Sequence, residues 1–85
     1  MYKRVLAATD GSRYSKIAVD EAIRIAKASK GKLTIVSVVD VTEEFETEAP
    51  ELTERFERQF KAMVERIKKQ AKAKGVKAEG IVKIG

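Results

Sequence analysis

Residues 5–15 read Val-Leu-Ala-Ala-Thr-Asp-Gly-Ser-Arg-Tyr-Ser, an apolar run that stops abruptly at Asp10-Gly11-Ser12. Val5 to Thr9 is too short for a helix and reads as a buried strand bounded by a turn. Ser12 and Ser15 are both placed to cap a helix that begins after this turn. From Ser15 to about Lys30, Ala18, Val19, Ala22, Ile23, Ile25 and Ala26 form an apolar stripe. Lys16, Asp20, Arg24 and Lys27 face outward, and Gly31 supplies a stop signal. Leu33 to Val39, LTIVSVV, is β-branched and almost wholly apolar, the pattern of a parallel strand covered on both faces.

The second half repeats the alternation. Thr42 to Ala49 is acidic and nearly without apolar anchors, so a surface loop is expected. Pro50 suits the first turn of a second helix. In that helix Leu52, Phe56, Phe60, Met63, Ile67 and Ala71 share one face through about Lys74, and Gly75 ends it. Val76 to Ile84 reads as an edge strand, with Gly80 marking an expected bulge.

The order β-α-β-α-β with helical crossovers predicts an α/β fold with a parallel, Rossmann-like sheet of strand order 3-2-1. Crossovers running in one direction put both helices on one face. The other face and the free edge of the first strand are then bare, the state of an incomplete doubly wound domain, and self-association into a homo-oligomer is expected.

Composition narrows the chemistry. The chain of 85 residues contains no Cys, His or Trp. Disulfides, thiolate or imidazole metal sites, and Ser-His or Cys-His catalytic pairs are therefore excluded. The formal charge is +5, but it is ordered: Glu43, Glu44, Glu46, Glu48, Glu51, Glu54 and Glu57 come first, then Lys61, Arg66, Lys68, Lys69, Lys72, Lys74 and Lys77. Acids leading and bases trailing complement a helix dipole, so this reads as a solvated helix face rather than a nucleic-acid patch. No apolar run is long enough to span a membrane and no leader is evident, so a soluble cytoplasmic protein is expected. Asn is absent and Lys and Glu abound, a pattern common among thermophiles.

Asp10 and Asp40 fall at the carboxyl ends of neighbouring strands, the edge where open α/β sheets bind ligands. Two readings of Asp10-Gly11 stand side by side. In one it is a turn whose carboxylate caps backbone amides; in the other it is a ligand site. A carboxylate beside a helix N-terminus repels phosphate, so as a site it suits a sugar hydroxyl or an adenine amino group. Phe56, Phe60 and Met63 read as core. No metal site is expected, since Asp10 with Asp40 lacks the phosphates with which Mg²⁺ usually shares its coordination.

Lys3 to Ser12, Ser15 with Ala18, the strand ending Val38-Val39-Asp40, the long helix, and Gly75-Val76 leading to Ile81-Val82-Lys83-Ile84-Gly85 together resemble the universal stress protein family. The resemblance spans residues 1–85 and implies one domain corresponding to about the first three fifths of a family sheet of order 3-2-1-4-5, ending before strands four and five. It implies two kinds of member, one that binds ATP and one that does not. In the binding kind the positions matching Ala8, Thr9, Asp10 and Val38 hold the adenosine half. A Gly-x2-Gly-x9-Gly-Ser/Thr loop after the fourth strand cradles the phosphates, and dimers form through the fifth strand. Gly85 aligns with the glycine that opens the loop after strand three.

The expected function is thus a non-enzymatic stress-response or regulatory module, with weak or absent ATP binding by this chain and no catalytic residues. Two alternatives belong to other classes. An ATP-using enzyme of related fold carries Ser-Gly-Gly-x-Asp-Ser after strand one, where this chain has Ala-Thr-Asp-Gly-Ser; a basic nucleic-acid adaptor would show steeply salt-dependent binding.

Overall fold

The computed structural model describes residues 3–85. Its elements are β1 (Arg4–Ala8), α1 (Arg13–Ser29), β2 (Lys32–Val39), α2 (Glu43–Glu48), α3 (Pro50–Ala73) and β3 (Lys77–Ile84). The three strands form one parallel sheet in the order β1-β2-β3, the predicted order read from the opposite edge. Helix α1 packs on β1 and β2, and α3 on β2 and β3.

Side-chain alternation across the register decides which face is covered. Val5, Leu33 and Ala78 form one row beneath the helices, Ala7, Ile35 and Gly80 the next. They meet Val19, Ala22, Ile23 and Ala26 of α1 and Val64 and Ala71 of α3 in a single core. The intervening rows, Leu6 with Thr34 and Glu79, then Ala8 with Val36 and Ile81, point the other way and carry no covering element among the described residues. Leu6 is 70% exposed and Val38 53% exposed.

Five local expectations change. Helix α1 starts earlier than Ser15, because Ser12 takes the N-cap: its Oγ accepts the Ser15 N–H at 3.2 Å. At the other end Lys30, not Gly31, adopts the left-handed conformation, with φ of 56°, and its N–H closes on Ala26 and Lys27 carbonyls. Gly31 is needed for a different reason: a Cβ there would run into the Lys3 carbonyl, which accepts the Lys32 N–H at 2.9 Å.

The acidic segment expected as a loop is helical. Thr42 Oγ1 accepts the Phe45 N–H at 3.0 Å, and Glu43, Glu44 and Glu46 favour the positive end of the short helix. Its anchor is Phe45, whose ring stacks on Phe56 with centroids 6.3 Å apart.

In α3 the most buried positions are Thr53, Val64 and Ala71, while Phe56, Phe60, Met63 and Ile67 are half-buried and Leu52 is 40% exposed. The helix is about 36 Å long at 1.5 Å per residue, against about 26 Å for an eight-residue strand. Its N-terminal turns therefore stand beyond the sheet and the molecule extends 46 Å in its longest direction.

Finally, β3 has no bulge: residues 77–84 pair one for one with residues 32–39. Gly80 lies instead where Val64 of α3 comes down onto the sheet, and its missing Cβ makes room for the Val64 Cγ1 methyl. Val64 is β-branched and stiff in a helix, so it cannot swing aside. Gly80→Ala is expected to lower stability in urea by about 1–2 kcal/mol through overpacking. In a Val64→Ala background the same change should be neutral or stabilising; equal cost in both backgrounds would show that the two side chains do not compete for that space.

Candidate functional site

The carboxyl edge of the sheet is built by the turn from β1 into α1. Thr9 is buried, and its amide, carbonyl and hydroxyl all have partners within the chain. Its N–H donates to Val36 O at 2.9 Å, its carbonyl accepts the Ser37 hydroxyl at 2.7 Å, and its Oγ1 accepts the Gly11 N–H at 3.2 Å and lies 3.0 Å from Ser15 Oγ. Gly11 has φ of +84°, the left-handed turn that a side chain resists. Asp10 Oδ1 accepts the Ser12 N–H at 2.8 Å. The Ser12 side chain and backbone, followed by the Ser15 hydroxyl, push the Asp10 carboxyl down to about 2 from 3.8.

Asp10-Gly11-Ser12 is thus a hydrogen-bonded turn, as one of the two readings held. The turn nevertheless leaves groups free beside it. Ala8 and Val38 lie exposed on the uncovered face of adjacent strands, with Asp10 at the edge just beyond Ala8. Thr9, between Ala8 and Asp10 in sequence, belongs to the helix side and contributes structure.

The main chain of Val38 offers more than its side chain. In a parallel strand alternate residues direct their N–H and C=O to alternate neighbours. Val36 O receives a bond from the β1 side and Val39 O receives the Gly85 N–H, at 3.0 Å, from the β3 side. Val38 therefore turns its amide and carbonyl toward β1, which has already ended at Ala8 opposite Val36. A donor and an acceptor are left side by side, without a backbone partner on that side among the described residues, the arrangement that pairs with one edge of a planar heterocycle.

Ser37 is a further structural member of this edge that the sequence pattern does not single out. The residue is 1% exposed, and its hydrogen bond to Thr9 O ties the end of β1 to β2. The visible signal is a lone hydroxyl in the apolar run LTIVSVV, since a buried hydroxyl requires a partner.

On the opposite, helix-covered side a cleft of about 230 Å³ opens between α1 and α3, lined by Thr9, Ser12, Lys16, Met63, Arg66 and Ile67 among others. It includes neither Ala8, Asp10 nor Val38, and its volume is below that usual for a drug-sized ligand. Asp40 is exposed at the end of β2, one residue past Val39. No helix among the described residues is long and apolar enough to cross a membrane.

A three-stranded parallel sheet of this topology, with its helical crossovers on one face, places the chain among the Rossmann-like α/β folds. The sequence model of the universal stress protein family matches residues 1–85, and the chain belongs to that family. A Staphylococcus aureus protein provisionally described as a universal stress protein is 46% identical over 39 residues, which span 46% of this chain and 24% of that one.

Among solved structures, a universal stress family protein from Burkholderia pseudomallei superposes with a TM-score of 0.87 at 23% identity, covering 99% of this chain and 64% of its own. A universal stress protein in complex with cAMP superposes with a TM-score of 0.67 at 32% identity, covering 99% of this chain and 55% of that one. This chain thus spans less than two thirds of the length of either solved relative.

The bonds at the turn make two predictions. Ser37→Ala should cost about 1–2 kcal/mol in urea unfolding, because it removes a buried bond and leaves the Thr9 carbonyl with one partner fewer. Asp10 is depressed in the folded state, so its stabilisation is complete above the unfolded value of 3.8 and lost as pH falls through about 2. The stability difference between wild type and Asp10→Ala should be flat near neutrality, shrink below about pH 4 and vanish near pH 2. A difference that persists undiminished at about pH 2 would assign it to something other than the carboxylate.

Proposed function

We propose that this chain is a non-enzymatic, cytoplasmic stress-response module that recognises the adenosine part of a nucleotide at the carboxyl edge formed by Ala8, Thr9, Asp10 and Val38. The observation that carries the reading is the open main-chain pair of Val38 beside the exposed Ala8 and the ionised Asp10. Val38 suits the hydrogen-bonding edge of adenine, Ala8 leaves room for the flat base, and Asp10 suits ribose hydroxyls. Thr9 fixes the spacing between the two strand ends through its bonds to Val36 and Ser37. The relative solved with cAMP, an adenosine nucleotide, supports the same ligand class.

The electrostatics argue against phosphate and against proton transfer at this edge. A carboxylate held ionised to pH of about 2 repels phosphate oxygens and is a poor general base near neutrality. ATP is therefore expected to gain little over adenosine here, and the enzyme alternative lacks a group to drive it.

Titration calorimetry with adenosine, cAMP and ATP tests the reading. All three should bind weakly and within about tenfold of one another, and Asp10→Ala should weaken adenosine by about tenfold, the loss of one charge-assisted bond. Micromolar ATP binding far tighter than that of adenosine, or phosphate release from ATP with Mg²⁺ above background, would refute it.

A further inference from the structure

We propose that the cleft between α1 and α3 takes a small zwitterion with an apolar tail, the chemistry of a free aliphatic α-amino acid. The inference is separate from the nucleoside reading, since neither Ala8, Asp10 nor Val38 lines this cleft. The cleft is built wholly by α1, α3 and the turn after β1, on the helix-covered side of the sheet. Its lining therefore does not depend on what lies against the opposite face. It opens because α1 rests on β1 and β2 while α3 rests on β2 and β3, each held by the sheet more than by the other helix.

The floor is apolar. Val19 is buried, Met63 and Ile67 are half-buried, and the polar atoms of Thr9, the other buried residue of the lining, are already bonded within the chain. The Met63 sulfur stands 3.0 Å from where a Cβ on Gly11 would be, which sets the thioether against the turn at the carboxyl end of the cleft. A volume of about 230 Å³ suits a metabolite rather than a drug-sized molecule, whose pockets begin near about 300 Å³. Such a floor receives a hydrocarbon chain and offers nothing to a polar one.

The walls carry the charge. Helix α1 contributes Lys16 and Asp20, and α3 contributes Arg66 and Gln70. Both helices run from the carboxyl edge of the sheet to its amino edge, so Asp20 follows Lys16 and Gln70 follows Arg66 by one turn in the same sense. None of the three charged side chains joins an ion pair among the described residues, although other charged residues of these helices do: Arg24 with Glu21, Lys61 with Glu57 and Lys68 with Glu65. Two cations from opposite walls fit one carboxylate. Asp20, left without a cation, fits the ammonium that an α-amino acid carries one carbon away, and its charge repels a second anionic group, which disfavours phosphates and dicarboxylates. The Gln70 amide can serve either end of the zwitterion, having both a donor and an acceptor.

The four wall residues are exposed, so the charge contacts are screened and binding should be weak, at about 1 mM. Heteronuclear NMR titration of the 85-residue chain with L-leucine to about 20 mM, well above that affinity, should move the amides around Lys16, Asp20, Arg66 and Ile67 in one saturating event. Isocaproate lacks the ammonium, isoamylamine the carboxylate and glycine the chain, and each should bind at least about tenfold more weakly. Asp20→Asn should weaken leucine about tenfold yet tighten isocaproate, because it removes the ammonium's partner and the carboxylate's repeller together. Arg66→Gln should weaken both ligands about tenfold, with an unchanged circular dichroism spectrum. Absence of a saturable shift at the cleft overturns the proposal. Glycine binding as tightly as leucine overturns the apolar tail, and Asp20→Asn leaving leucine unchanged, or weakening leucine and isocaproate alike, overturns the zwitterion.

Discussion

Two parallel crossovers taken in the same direction across three strands place both helices on one face of the sheet, and the other properties of the molecule stem from that one-sidedness. The core is a single layer between helices and sheet, built from Leu33, Ile35 and Ala7 below and Ile23, Ala26, Val64 and Ala71 above. Each strand consequently has two characters, one set of alternate side chains buried and the other left to solvent or to a partner. Gly31 and Gly80 mark where the layers come closest: one lets the start of β1 lie against the end of α1, and the other lets Val64 reach the backbone of β3.

The same division organises the carboxyl edge. Thr9 and Ser37 turn toward the helices and hold β1 to β2, while Ala8 and Val38 turn away and remain open. At Asp10 the turn itself sets the state of the carboxylate. Its hydrogen bonds to the start of α1 fix where the carboxylate stands, and they keep it charged in a position that faces past the end of the sheet.

Much of this was legible in the sequence because it rests on strong periodic signals. The short run Val5 to Thr9, the stripe of α1 and the apolar β2 specify strand, helix and strand, and short parallel connections leave few topologies. What was illegible depended on single contacts between distant segments. Nothing in Gly80 distinguishes a bulge from a methyl-sized space beneath Val64, because the two meet only once α3 has docked on β3. Phe45 reads as an isolated aromatic among glutamates until Phe56 is brought opposite it. Ser37 reads as a tolerated hydroxyl until the carbonyl of Thr9 arrives to receive it. The open main chain of Val38 is invisible by nature, since it depends on where the neighbouring strand stops and not on the residue itself.

The overhang of α3 gives the molecule an uneven distribution of local stability. Its last turns rest on β2 and β3, but its first turns are held mainly by α2 and the Phe45–Phe56 stack, an aromatic pair worth about 1 kcal/mol. Transient opening is least costly where few buried contacts must be broken. The amides of α2 and the start of α3 should therefore exchange with solvent well before those of β2, which is paired on both sides. That loosely held end projects past the carboxyl edge of the sheet, so the helix that closes the core at one end is anchored at the other by little more than a single aromatic pair.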